Sequence, residues 1–177
     1  MEPQLDIANG EISVEDSCDF VPRCLLVKKY ANSTIINFGF DKESKWHLPN
    51  YMMKDTIEYT KQLEYTVIIM LEGNDVSSGL KWALLSRSVV IMQTPTKTSY
   101  AMEELLQPLT HYIPIDDRLS DMEDKMKWVI DHDEEARKIA ERGSLFIRDL
   151  LLHEKSSKEN EKIKQMILHR YLDFFVT

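Results

Sequence analysis

The sequence is poor in cysteine and carries no excess of positive charge, and both shortages exclude classes of protein. Its 177 residues include 2 cysteines, Cys18 and Cys24. Their spacing matches no zinc or redox motif, so we predict two unpaired thiols in a reducing compartment. Lysine and arginine total 22 against 30 acidic residues, which gives a formal net charge of −8. Because the acidic residues are spread along the whole chain, we expect no nucleic-acid partner.

Long hydrophobic runs are also missing. The longest purely aliphatic run, residues 67–71, is far too short to span a membrane. The N-terminal stretch MEPQLDIANGEISVED is acidic and lacks the cationic and apolar regions of a secretory signal. With 43% hydrophobic and 29% charged residues, the composition is that of a globular protein. We therefore expect one soluble protein without a membrane span, cytoplasmic or in another aqueous compartment.

Apolar runs alternate with amphipathic stretches up to about residue 115. The runs typical of strands are residues 34–40, 65–71, 88–92 and 111–115. The stretches with helical spacing between them are residues 52–63, 77–86 and 99–106. This alternation predicts βαβ units and an α/β fold with a buried parallel sheet.

The chain from Asp116 onward is predicted to be helical. Ser120 and Glu123 have the spacing of a capping box at the start of one helix. The acidic cluster at residues 131–135 precedes a longer helix, and we interpret it as an N-cap aspartate with a favourable first turn rather than a metal site. A charged linker at residues 155–160 leads into a last amphipathic helix that ends near Phe175.

The loop EGNDVSS at residues 72–78 lies between a predicted strand and a predicted helix. Gly73 allows a sharp turn, and the N–H groups around residues 76–79 would lie at the positive end of the helix dipole. Ser77, Ser78 and Lys81 add hydroxyl donors and a positive charge, so the loop is suited to a phosphate. Its spacing fits neither the Walker motif nor G-x-G-x-x-G. A strand, a glycine turn and a serine-capped helix also occur without a ligand, and both interpretations stay open.

Acidic and histidine side chains elsewhere are weaker candidates. Glu103 and Glu104 have the chemistry to hold ribose hydroxyls, although favourable charge near a helix N-terminus explains them as well. We interpret His111 as a packed strand residue rather than a general base, because the sequence identifies no partner acid for it.

Three stretches together resemble the C-terminal lobe of glycosyltransferase family 90. They are EGNDVSSGLKWALLSRSVVIM, then EELLQPLTHYIPI, then DRLSDMEDKMKWVIDHDEEARKIAERGSLFIRDLL. The matching features are the acid-glycine loop with Lys81, the HYIP strand, and a helix with a shared set of positions. These positions are Ala140, Arg142, Gly143, Phe146, Arg148 and Leu150. The resemblance covers roughly residues 62–152.

The resemblance implies an α/β, Rossmann-like parallel sheet flanked by helices, as one GT-B-type lobe with a helical C-terminal tail. We expect a flexible arm at residues 1–20, the lobe at 21–155, and a helix at 156–177 that packs on or beside it. The family includes capsule-associated and lipopolysaccharide-modifying transferases and protein O-glucosyltransferases. The implied donor is a UDP-sugar and the acceptor a glycan or a protein, with no cofactor and no metal. The implied donor-binding residues are Glu72, Gly73, Asn74, Asp75, Val76, Ser77, Ser78, Gly79 and Lys81, with Glu103 added for the ribose.

The sequence departs from the family pattern in two respects. The protein O-glycosyltransferase branch has an arginine inside the loop and an aromatic-arginine pair after the serine, where this chain has Asn74, Ser78 and Gly79. Family members also place the catalytic base and the acceptor site in an N-terminal lobe, for which this chain has no room. No catalytic residue is therefore assigned. The resemblance leaves open a half-enzyme that needs a partner lobe, a homo-oligomer, or a non-catalytic binding module.

Overall fold

The structure is a computed structural model that describes residues 18–43 and 48–176. Residues 1–17 of the predicted flexible arm lie outside the described residues. The α-helices are α1 (Pro22–Tyr30), α2 (Tyr59–Gln62), α3 (Leu80–Leu85), α4 (Met122–Asp131), α5 (Asp133–Leu152) and α6 (Ser156–Phe175). The strands are β1 (Phe40–Asp41), β2 (Met53–Lys54), β3 (Val67–Met70), β4 (Val89–Met92) and β5 (Ile113–Pro114). Short 3-10 turns occur at Cys18–Phe20, Asn50–Met52 and Glu103–Leu105.

The main sheet is parallel, with strand order β3-β4-β5. Val67 aligns with Val89, and Ile91 aligns with Ile113. All residues of β4 are buried, as expected for the central strand of a parallel sheet with both faces covered. The predicted α/β fold, a Rossmann-like parallel sheet flanked by helices, is confirmed.

The two faces of the sheet pack against different helices. Ile91 and Ile113 lie in a core with residues of α1, α4 and α5, such as Leu26 and Ile139. Val90 and Met92 point to the opposite face, where they join a core with residues of α3 and the later part of α5. This division follows from the alternation of side chains along a strand. The helix α5 therefore contributes to both layers, with Ile139 in the first and Ile147 in the second.

The region before β3 differs from its prediction. The strand expected at residues 34–40 is reduced to β1, which pairs with β2 in a separate two-stranded sheet. The hydroxyl of Ser33 accepts a hydrogen bond from the N–H of Ile36, which ties this backbone into a local turn. The helix expected at residues 52–63 is also wrong in extent, because β2 occupies its start and only α2 remains helical.

Other predicted boundaries shift for identifiable reasons. The expected capping box is absent, since Ser120 bonds to Asp116 instead and α4 begins at Met122. The helix expected at residues 99–106 shrinks to a 3-10 turn because Met102 has a positive φ of 51°, which a right-handed helix cannot contain. The linker expected at residues 155–160 is helical from Ser156 onward.

The two cysteines form a disulfide, so the prediction of unpaired thiols is wrong. The start of α1 brings Cys24 back onto the 3-10 turn that contains Cys18. Both residues are buried in a small cluster with Val27 and Met52, which holds the two sulfurs together.

The last helix ends at Phe175, as the sequence predicts. None of its described residues is buried, so its packing on or beside the lobe stays a prediction. In the part of the chain that the structure describes, no helix is long and apolar enough to cross a membrane.

Candidate functional site

The loop of the predicted phosphate site follows β3 and leads into α3. Its backbone folds on itself, with the Gly73 N–H donating to the Asp75 carbonyl at 3.1 Å and the Leu80 N–H donating to the Ser77 carbonyl at 3.0 Å. The helix begins at Leu80 and has 6 residues, whereas the sequence predicts a start at residue 77. Residues 76–78 precede the helix and Gly79 is its N-cap, so among the amides of residues 76–79 that of Gly79 lies at the helix end. Those residues form a turn, and any ligand would contact that turn.

A small cavity of about 20 Å³ lies at the carboxyl ends of β3 and β4. It brings together four of the predicted residues, Glu72, Val76, Ser77 and Glu103. Met70, Leu71, Leu80, Met92, Gln93 and Pro95 complete its wall. This volume is close to that of a single water site. The remaining predicted residues lie outside this wall, Lys81 in α3 and the others on the loop.

Glu72 connects the loop after β3 to the loop after β4. Its carboxylate accepts hydrogen bonds from the Thr96 N–H at 2.9 Å, the Thr96 hydroxyl at 2.5 Å and the Lys97 N–H at 3.2 Å. Partial burial raises the pKa of Glu72, but the hydrogen bonds from Thr96 and Lys97 and the charge of Lys97 outweigh this effect. The net result is a pKa below the ordinary value. Glu72 is therefore an ionised anchor between two loops.

Glu103 is the most buried charged residue of the site, with 2% of its surface exposed. Its two carboxylate oxygens accept hydrogen bonds from the N–H and the hydroxyl of Ser99, at 2.7 and 2.8 Å. A carboxylate has about four lone-pair positions, so these two bonds leave acceptor capacity on Glu103, which lines the cavity. The alternative prediction was a favourable interaction of Glu103 with a helix N-terminus. The structure does not favour it, because the predicted helix is only a 3-10 turn of 3 residues.

Two lysines approach the loop from different segments. The ammonium group of Lys81 lies 4.8 Å from the ring centroid of Tyr100, which is within the distance of a cation–π contact. The ammonium group of Lys97 donates to the Gly73 carbonyl at 2.8 Å and lies 4.0 Å from Glu72. The sequence identifies Lys81 but not Lys97. Lys97 contacts Gly73 because the strands before them, β4 and β3, are neighbours in the sheet. The predicted parallel pairing of these two strands was the signal that could have identified Lys97.

The exposed members of the loop are Gly73, Asn74, Asp75 and Ser78. Asp75 accepts a hydrogen bond from the Val76 N–H at 2.8 Å, so part of its charge is used locally. Gly79 allows the loop to pack closely against Trp82, because a Cβ at this position would lie 3.0 Å from the indole nitrogen. The loop thus presents polar side chains to solvent above a tightly packed base.

The other sequence candidates lie away from the loop. His111 is half-buried, its Nδ1 accepts a hydrogen bond from the Gln107 N–H, and its ring contacts Phe146 at 5.2 Å. The prediction of a packed residue is confirmed, but His111 lies in the turn before β5 and not in the strand. Among residues 18–43 and 48–176, no three His, Cys, Asp or Glu side chains form a group suited to a metal ion.

A much larger groove, of about 830 Å³, runs along the open edge of β3. Its described walls are residues 35–41, residues 54–57, the start of β3 and one face of α4. None of the predicted site residues is among its described lining residues. The groove is therefore a separate feature, and size alone does not make it the candidate site.

Comparison with known proteins gives a consistent set of relatives. The model of a family described as Glycosyl transferase family 90 matches residues 21–159. O-glucosyltransferase LpsA of Dichelobacter nodosus is 36% identical over 73 residues, which cover 41% of this chain and 23% of that protein. Protein O-glucosyltransferase 3 of Homo sapiens is 32% identical over 118 residues, which cover 66% of this chain and 22% of that protein. Protein O-glucosyltransferase 1 of Homo sapiens is 28% identical over 138 residues, which cover 73% of this chain and 33% of that protein. The chain spans only about a fifth to a third of the length of these relatives.

Proposed function

Because the chain belongs to glycosyltransferase family 90, we propose that it binds the nucleotide-sugar donor of a sugar-transfer reaction. The donor is a UDP-sugar, bound through residues 72–79, Lys81 and Glu103. The acceptor is a glycan or a protein. The relatives include O-glucosyltransferases, which supports this class of reaction.

The observation that carries the proposal is the convergence of Glu72, Val76, Ser77 and Glu103 at the carboxyl ends of two parallel strands. In open α/β sheets, ligands bind outside the carboxyl ends of the strands. Two elements separated by a strand crossover contribute to this one place. Such convergence is what a ligand site needs and what packing alone does not require.

The side chains divide the donor between them. Lys81 and the exposed Asn74 and Ser78 contact the diphosphate, whose charge grows as the sugar departs. Glu103 accepts hydrogen bonds from the ribose hydroxyls, because it lines the cavity and its two bonds to Ser99 leave acceptor capacity. No metal ion takes part, since cationic side chains neutralise the diphosphate. Excess EDTA should then leave the affinity for UDP unchanged.

The cavity must widen before it holds a nucleotide. Ligand pockets have volumes of roughly 300–1,000 Å³, whereas this cavity has about 20 Å³. The segment that has to move is residues 94–97, which the carboxylate of Glu72 and the bond from Lys97 to the Gly73 carbonyl hold to the loop. Donor binding is proposed to displace that segment outward.

A second candidate function is a binding module without catalysis, or a half-enzyme that a separate lobe or a second copy completes. Two observations favour it. The loop has no arginine of its own, and the cavity is small. In this case the chain would bind UDP weakly or only together with its partner.

Thermal unfolding in the presence of UDP tests the proposal. A ligand that binds only the folded state at 100 times its dissociation constant stabilises that state by about 2.7 kcal/mol. We expect UDP to raise the unfolding temperature, GDP to raise it less, and Lys81→Ala to abolish the UDP effect. Lys61→Ala, in the distant helix α2, is the matched control and should keep the full rise. No rise at millimolar UDP would refute a working donor site in this chain.

A further inference from the structure

The strand β3 forms one edge of the main sheet. It pairs with β4 on one side, and in the described part of the chain no strand pairs with its other side. The N–H of Val89 donates to the Thr66 carbonyl at 2.8 Å. Because the bonding groups of successive residues alternate between the two sides of a strand, the N–H and carbonyl groups of Val67 and Ile69 face away from β4. These groups are available to a further strand.

The groove of about 830 Å³ lies along this open edge, and Val67 and Ile69 are among its lining residues. Its volume falls in the range of roughly 300–1,000 Å³ that is usual for ligand pockets. Residues 35–41 border it without pairing with β3, and they approach the start of the strand through the Asn37 amide, which donates to the Tyr65 hydroxyl at 3.3 Å. The groove therefore has room beside the strand edge.

The groove also leaves apolar side chains uncovered. Ile35 is 50% exposed and Ile130 of α4 is 67% exposed, and both line it. On the α4 side of the sheet, Val67 and Ile69 pack in the same core as Met126. Every second side chain of a strand added to β3 would point to this side. Apolar residues in alternate positions of such a strand would thus cover the exposed apolar surface.

Asp41 supplies a negative charge in the wall of the groove. Hydrogen bonds from the Thr56 hydroxyl at 2.5 Å and the Glu43 N–H at 2.8 Å hold the pKa of this carboxyl below its ordinary value, so it is ionised at neutral pH. In the described part of the chain, no lysine or arginine forms an ion pair with Asp41.

Asp55 and Asp133 also line the groove. Each contacts one basic side chain at 2.8 Å, Lys42 and Arg137 respectively, in an exposed ion pair. Exposed ion pairs contribute little to stability, so these carboxylates can accept a cation from a ligand instead. The charge of the groove favours a ligand with lysine or arginine.

We propose that the groove binds an extended basic segment of a partner protein, which adds a strand to the open edge of β3. Addition of a strand to a sheet edge is a recurrent way of binding peptides, in which backbone hydrogen bonds give affinity and alternate side chains give specificity. None of the predicted donor-site residues is among the described lining residues, so this site is separate from the donor site.

Two other occupants fit the groove less well. Residues 1–17 of the chain are acidic and contain no lysine or arginine, so their charge does not complement that of the groove. A second copy of the chain cannot offer its own β3, because residues 35–41 flank that edge in each copy.

An NMR titration of the full chain with short peptides tests the proposal. The probe is KVTVTVK, blocked at both ends, and the controls are EVTVTVE and KVTPTVK. We expect saturable shifts at residues 35–41 and 65–69 with the probe. The acidic control should bind about tenfold more weakly or worse, because its charges are reversed. The proline control should also bind weakly, because proline has no N–H to donate to the edge.

Substitutions in the groove test the same contacts from the protein side. Val67→Pro removes an outward N–H, which an edge strand tolerates, and should weaken the probe about tenfold or more. Asp41→Asn keeps an acceptor for Thr56 and should weaken it by about two- to fivefold, the effect of one exposed charge pair. Asp149→Asn, at an exposed position of α5, is the matched control and should change nothing. If Val67→Pro does not fold, Asp41→Asn still tests the role of the groove.

Four outcomes would overturn the proposal. They are the absence of shifts at millimolar probe, equal binding of the basic and acidic peptides, unchanged affinity in folded Val67→Pro, and unchanged affinity in Asp41→Asn. Hydrogen exchange without peptide identifies the other occupants. Slow exchange of the Val67 and Ile69 amides at low protein concentration would overturn the proposal, because the chain itself would cover the edge. Protection that grows with protein concentration would overturn it in favour of a second copy.

Discussion

At the scale of single residues, the side chains around the loop differ in how much of their hydrogen-bonding capacity the fold already uses. The carboxylate of Glu72 accepts three hydrogen bonds from Thr96 and Lys97. Arg23 of α1, by contrast, donates to the Leu71 carbonyl beside the loop and keeps most of its donors. The sequence could place Glu72 in the site, because it follows an apolar strand directly. It could not indicate its partners or Arg23, because those contacts join segments that only the tertiary fold brings together.

The half-buried imidazole of His111 gives a prediction at the same scale. Burial lowers its pKa, and the nearby positive charge of Arg142 lowers it further. In the unfolded chain the pKa returns to about 6.5. The unfolded chain then binds more protons, so the free energy of unfolding should fall as the pH drops below about 6.5 and level off below the folded pKa. Urea unfolding between pH 5 and pH 8 measures this fall.

The variant His111→Asn isolates the contribution. Asparagine keeps an acceptor for the Gln107 N–H but does not titrate, so the fall between pH 6.5 and the folded pKa should shrink. His169→Gln, on the exposed helix α6, is the control and should retain the full fall. Equal pH dependence in the His111 variant and in the natural chain would contradict this assignment.

At the scale of helices and strands, the quality of the sequence prediction depends on local consistency. The strands β3 and β4 and the helix α5 lie where apolar periodicity places them, because each has a long, regular pattern. The strand predicted at residues 34–40 fails because Ser33 captures its first amides. The prediction of unpaired thiols fails for another reason. The spacing of two cysteines in the sequence does not show that both lie in one buried cluster.

The contact between α5 and the turn before β5 gives a prediction for Gly143. A Cβ on Gly143 would lie 2.6 Å from the His111 carbonyl oxygen and 3.0 Å from the Cδ2 of Leu84. In an isolated helix, alanine is more stable than glycine by about 1 kcal/mol. Here we expect the opposite sign, a loss of about 1–3 kcal/mol for Gly143→Ala, because the helix must move away from the sheet.

Urea unfolding of Gly143→Ala beside Glu141→Ala makes the comparison. Glu141 is exposed on the same helix, so its substitution should leave the free energy of unfolding nearly unchanged. A stabilised Gly143→Ala protein would show that α5 does not approach β5 as closely as the structure places it.

At the scale of the whole molecule, two apolar surfaces are unaccounted for by the lobe itself. The helix α6 exposes Ile167, Tyr171, Phe174 and other apolar residues along its length. The groove beside β3 leaves the edge of the sheet open. The relatives are several times longer than the stretch they share with this chain. The fold class was predictable because apolar runs that alternate with amphipathic helices specify a layered sheet. Local sequence patterns do not indicate which apolar surfaces the folded chain leaves uncovered.

The measurement that tests the central claim most directly is an NMR titration of the isotopically labelled chain with UDP. Amide signals report contact residue by residue, so the site and the affinity are obtained together. We predict saturable shifts at residues 72–81, at residues 94–97 and in the neighbourhood of Glu103, with GDP giving smaller shifts. Unchanged spectra at millimolar UDP, or shifts confined to the groove residues 35–41 and 65–69, would contradict the proposed donor site.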